Sequence, residues 1–120
     1  MKLVSIVNAH NAIGKLNTNE DISSKLSYWL TKFYIKTEDD ARFYSEKIQK
    51  ILDEYGEKQD NGGYKIKDEN LEEFQAKTKE IDDMDAEDPG VRIPLSEMTS
   101  ELKLSMQQIY PLMDFIDESK

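Results

Sequence analysis

Between Ile22 and Tyr55, apolar side chains recur at helical spacing. Ile22, Leu26, Trp29, Leu30, Phe33, Ala41, Tyr44, Ile48, Ile51, Leu52 and Tyr55 share one stripe, whereas Lys25, Lys32, Glu38, Asp39, Arg42, Lys47, Lys50 and Asp53 fall largely off it. The pattern predicts one long amphipathic helix over about residues 21–55. At about 1.5 Å per residue it would be roughly 50 Å long, so its two ends need different packing partners. The stripe weakens between Phe33 and Tyr44, where Thr37, Asp40 and Ala41 replace large apolar residues, and thinner packing is expected there. Tyr28, Trp29, Phe33 and Tyr34 mark the densest part of the core, with the two tyrosine hydroxyls kept wet.

A shorter helix precedes it. Leu3, Ile6, Val7, Ile13 and Leu16, with His10 and Gly14 on the same side, predict about four turns ending near Lys15. Asn17, Thr18 and Asn19 then break the pattern, and Thr18 with Asp21 has capping-box spacing. Tyr55-Gly56 closes the long helix, with Gly56 expected in the left-handed conformation.

Beyond Gly56 the period changes. Asp60-Asn61-Gly62-Gly63 is turn chemistry between Glu57–Gln59 and the alternating Tyr64–Lys67, a small β-hairpin in which Gly62 or Gly63 takes a positive φ. No lysine follows in phosphate-loop spacing, so the glycine pair is read as a turn. Asp68 or Asn70 is expected to cap a third helix with Leu71, Phe74, Thr78 and Ile81 on one side. Together these elements predict a mainly α fold: an antiparallel helical hairpin built on the long helix, a β-hairpin at its tip, and short N- and C-terminal helices in a single domain, 1–120.

Pro89-Gly90 marks a turn, Val91 to Leu95 an extended segment, and Leu102, Leu104, Met106, Ile109, Leu112, Met113, Phe115 and Ile116 a last apolar block. Ser105 can cap a helical turn there, and Pro111 begins a second helix or kinks the first. So apolar a tail should fold back on the helices or dock with another copy. A helix of about 50 Å exceeds what two shorter helices cover. The surplus at Trp29, Phe33, Leu112, Met113 and Phe115 therefore points to a homodimer through the long helix and the tail.

Charge adds a second candidate surface. Of the net −9, a −8 excess lies between Asp68 and Asp88, where ten acids face only Lys77 and Lys79. Such a window repels phosphate, and no basic stripe elsewhere offsets it, which argues against direct nucleic-acid binding. It reads as a solvated helix face or as a surface for a basic partner, with Glu72, Glu73, Asp82 and Asp83 as its candidate residues. The run Asp82 to Gly90 lacks calcium-loop spacing, since Asp88 stands where that loop needs glycine and Pro94 where it needs glutamate. With no cysteine and one histidine, His10, the chain offers no thiol chemistry, nucleophile motif or evident ligand set. His10 is read as a packing histidine, and no cofactor or metal is expected. No run has the roughly 18 apolar residues of a membrane span, and Asn8, His10 and Asn11 interrupt any signal-like centre, so a cytoplasmic location is expected.

Several stretches in order carry a family resemblance: Asn8-Ala9-His10-Asn11-Ala12-Ile13-Gly14-Lys15-Leu16, Lys25 to Leu30, Lys50 to Lys58, Asn61 to Ile66, Glu72-Glu73-Phe74, Val91 to Leu95 and, more loosely, Leu104 to Ile116. The chain resembles a family of small acidic helical proteins encoded by tailed phages and prophages of Gram-positive bacteria. The resemblance implies a phage or prophage product with a helical-hairpin fold inside the host cell, and it transfers no functional residue. The leading expectation is a non-catalytic interaction or assembly protein whose partner is a phage structural or host protein. The alternative is an acidic decoy occupying a basic, nucleic-acid-binding surface of a host protein. An enzyme of unrecognised type comes third.

Overall fold

The computed structural model describes residues 1–16 and 21–120. Its elements in order are α1 (Leu3–Leu16), α2 (Ser24–Tyr55), β1 (Gly56–Lys58), β2 (Tyr64–Ile66), α3 (Asp68–Asp82), β3 (Ile93–Pro94), α4 (Leu95–Glu101), α5 (Met106–Ile109), a 3-10 turn (Tyr110–Phe115) and β4 (Ile116–Asp117). The fold is mainly helical, with a two-stranded antiparallel sheet of β1 and β2. α2 sets the long dimension: 32 residues at about 1.5 Å each nearly match the 49 Å principal extent.

The core lies over the first half of α2. Leu26, Leu30 and Phe33 meet Ile6, Ala9 and Ile13 of α1 on one side and Val91, Ile93, Met98, Leu112, Phe115 and Ile116 on the other. The remainder of α2 buries little, with Ile51 its one apolar residue buried beyond Phe33, and α3 buries none. The expected weak point at Thr37 is instead tightly packed. Thr37 is fully buried because its hydroxyl is held by His10 Nδ1 at 2.8 Å and by the Phe33 carbonyl at 2.9 Å, so α1 can press against a small polar residue. His10 also stacks on Tyr34, with ring centroids 4.0 Å apart.

Both ends of α2 differ from expectation. The suggested Thr18 cap lies outside the described residues. Ser23 caps α2 through its side chain, which accepts from Leu26 N at 3.1 Å. Glu101 in turn accepts from Ser23 N at 2.6 Å, and Lys25 pairs with Glu97 at 2.9 Å, so two carboxylates of α4 sit against the positive end of α2. Gly56 is not left-handed: φ −108° and ψ 160° carry the chain straight into β1. A Cβ there would stand 2.8 Å from the Leu52 carbonyl oxygen, so close approach of backbone is what calls for glycine.

At the tip, Glu57 pairs with Lys65 and Lys58 with Tyr64, and Gly62 adopts φ 85°. Neither Asp68 nor Asn70 caps α3: the N-cap is Lys67, without a side-chain hydrogen bond, and Asp68 and Glu69 occupy the first turn, where their charge complements the positive end of the helix dipole. Two hydrogen bonds tie α3 to α2, from Tyr44 to Asp82 at 2.6 Å and from Tyr55 to Glu73 at 3.1 Å. Gly90 closes the following turn at φ 76°, its N–H donating to Asp88 at 2.7 Å. β3 then pairs in parallel with β4, Ile93 opposite Ile116. In the tail, Ser105 forms a capping box with Gln108, and Pro111 stands in the first turn of the 3-10 segment.

Candidate interaction surfaces

The tail closes the core within one chain, and this removes most of the expected apolar docking patch. Phe33, Leu112 and Phe115 are buried, and the Phe33 and Phe115 rings meet edge to face at 5.0 Å. Trp29 is half-buried against the same cluster. Of the five residues, only Met113 is exposed, at 48%. The parallel β3–β4 pair is the cause, because it turns Phe115 inward beneath Arg92, whose guanidinium lies 5.4 Å from the ring centroid. Much of the surplus that motivated a dimer through α2 and the tail is therefore used inside the chain, while Met106 and Tyr110 of the tail stay 83% and 78% exposed beside Met113.

Three of the four acidic candidates are likewise engaged by the fold. Asp82 accepts from Tyr44, and burial together with this bond pushes the Tyr44 phenol up to about 12. Asp83 accepts from Lys79 at 2.7 Å and pairs with Lys2 at 3.1 Å, and these two bonds hold its carboxyl below the usual range. Glu73 accepts from Tyr55, whereas Glu72 faces solvent. Further along, Asp85 pairs with the Met1 ammonium at 3.0 Å. Asp88 is held at about 2, chiefly by its hydrogen bonds from Arg92 and next by that from the Gly90 N–H. Much of the acidic window thus staples α3 and its exit loop to α1, α2 and Arg92.

A different surface remains open, on the side of α2 turned away from the core. Counting about 100° per residue, Tyr28 and Ile35 project roughly opposite to Leu26, Leu30 and Phe33. They are 58% and 62% exposed, large values for apolar side chains two turns apart on one helix. With Ser24, Thr31, Lys32 and Lys36 they line a shallow groove of about 610 Å³. The Lys32 ammonium lies 5.7 Å from the Tyr28 ring centroid and 5.5 Å from that of Trp29. Phe43, 37% exposed, stands two turns further on and to one side, where with Lys36 and Asp39 it lines a separate cleft against Leu3 and the exit loop Met84 to Pro89. In the sequence, Ile35 is the exception to the amphipathic pattern, a large apolar residue on the polar side, and that was the available signal.

A second cleft of about 690 Å³ separates α1 from the tail, lined by Asn8, Asn11, Gln107 and Gln108 with Tyr110 and Met113 at its side. Its amides offer neutral donors and acceptors, and Ser5, Lys15 and Asp114 also line it. Among the described residues no group of three or more histidine, aspartate or glutamate side chains is arranged to hold a metal ion. No described helix is long and apolar enough to cross a membrane. No family model matches the sequence, and no curated protein or solved structure matches it either.

Proposed function

We propose that the chain is a non-catalytic protein–protein interaction or assembly protein, of phage or prophage origin and acting in the host cytoplasm, which docks its partner on the outward face of α2. The observation that carries this reading is the exposure of Tyr28 and Ile35 on a continuous helix whose other large apolar side chains are mostly committed to packing. Isolated apolar residues on a surface are ordinary; two aligned on one helical face beside a groove are what an interface uses. In this reading α2, the β1–β2 tip and α3 form an antiparallel helical hairpin that holds the face straight. The Tyr44–Asp82 and Tyr55–Glu73 bonds fit that role, linking a later position on α2 to an earlier one on α3.

Photo-crosslinking inside cells producing the chain and its candidate partners tests the proposal. A benzophenone amino acid at position 35 should capture protein in discrete bands, whereas the same group at position 72 on α3 should not. Capture concentrated at position 72 would favour the acidic decoy, and absence of capture at both would overturn the docking reading.

A further inference from the structure

We propose that the occupant of this face is a second copy of the chain, with the two α2 helices antiparallel about a two-fold axis between Ile35 and Lys36. The proposal rests on reading the face as a docking surface and adds the identity and register of what it takes. Along the outward face stand Tyr28, Lys32, Ile35, Lys36, Asp39 and Phe43, with intervals of four, three, one, three and four residues. That spacing is the same in both directions. An isologous contact requires this property, because each residue meets its counterpart through the same axis.

The chemistry matches residue by residue. Tyr28 comes opposite the partner's Phe43, an aromatic pair at each end of the contact. Lys32 comes opposite the partner's Asp39, and Ile35 lies against the aliphatic stem of the partner's Lys36. Within its own chain Lys32 has ring faces and, among the described residues, no carboxylate within 4.0 Å. The Asp39 side chain is 93% exposed and, among the described residues, pairs only with Arg42, three residues along. Each therefore reaches across without breaking a bond that the core needs. Helices crossing at about 20° keep such a face in contact over several turns.

The fold also lessens the main objection, the net charge of −9 on each copy. Of the acidic window only the exit loop, with Asp85, Glu87 and Asp88, borders the Asp39–Phe43 end of the face, where the partner's Lys32 comes in. α3 binds Tyr44 and Tyr55, which lie on the same side of α2 as Leu30 and Phe33, away from the outward face. The two acidic helices would then be separated by roughly three helix spacings of 8–10 Å, well beyond a Debye length of about 8 Å at physiological salt.

Light scattering of the full chain through the micromolar range, at moderate salt, reads the association. The mass should climb from 14.0 kDa toward twice that value. Lys32→Asp and Asp39→Lys should each weaken dimerisation about tenfold or more, since each places two like-charged pairs in contact, and the double exchange should recover it to within about threefold. As a check independent of charge, Tyr28→Cys chains mixed with Phe43→Cys chains should form a disulfide-linked heterodimer in this otherwise cysteine-free protein. A mass of 14.0 kDa throughout, or a double exchange no better than the single ones, would overturn the pairing. A monomer that still crosslinks a different protein from position 35 would overturn this register alone, whereas a monomer with no crosslink would also remove the docking surface.

Discussion

His10 Nδ1 lies 2.8 Å from Thr37 Oγ1, and both side chains are buried where α1 crosses α2. The Thr37 hydroxyl donates to the Phe33 carbonyl and so accepts from the ring N–H, an arrangement that leaves no buried side-chain polar atom without a partner among the described residues. Thr37→Val keeps the shape and removes the acceptor. It should lower stability by about 1–3 kcal/mol in urea unfolding, the cost of a stranded buried donor. Adding His10→Leu to that variant should restore part of the loss, because removing both polar partners costs less than removing one.

The same pair gives a pH dependence. Burial holds His10 below its ordinary value of 6.5, against the weaker opposite pull of Glu38 and the Tyr34 backbone. The unfolded chain therefore takes up the proton first as pH falls. The His10 contribution is complete above pH 6.5 and is lost as pH falls below it, so unfolding midpoints should drop as pH is lowered through and below 6.5. His10→Leu should flatten that slope. Asp88, held at about 2, acts in a separate window: its contribution is present above 3.8 and is lost as pH falls from there toward 2.

At the tip, Gly62 has φ 85°, whereas Gly63 lies outside the left-handed region. Gly62→Val should cost roughly 1 kcal/mol or more through backbone strain, and Gly63→Val distinctly less, since a Cβ there meets only the Asn61 side chain. Equal, negligible effects in thermal unfolding would show that the turn contributes no order.

Tyr44 joins α2 to α3 through its bond to Asp82. Tyr44→Phe should destabilise by about 1 kcal/mol, less than the roughly 1.5–3 kcal/mol of a buried bond to a charged group because the site is only partly buried. In an ultraviolet titration the wild type should retain one phenol ionising near pH 12, and the variant should lack it.

The helices were legible because their apolar residues repeat locally: Leu3 to Leu16 and Leu26 to Tyr55 announce their own period, and Asn61-Gly62 its own turn. Thr37 was misread because its partner, His10, is 27 positions away, and a hydroxyl on an apolar stripe reveals nothing of what satisfies it. α4 escaped notice since seven residues with one buried side chain, Met98, carry no measurable period. The parallel contact of Ile93 with Ile116 is non-local in the same sense, and it decides that Phe115 faces inward. The candidate patch, drawn from α2 and the tail, loses Phe33, Leu112 and Phe115 to the core, whereas Met113 stays exposed beside Met106 and Tyr110 of the tail, and Tyr28 and Ile35 stand exposed on α2.

Association through the outward face of α2 is the central claim, and a dilution series of amide and methyl nuclear magnetic resonance spectra tests it most directly. Signals of Tyr28, Lys32, Ile35, Lys36, Asp39 and Phe43 should move together with concentration, while those of buried Leu112 and Phe115 and of exposed Met113 stay fixed. Shifts centred on Met106, Tyr110 and Met113, or spectra independent of concentration, would contradict it.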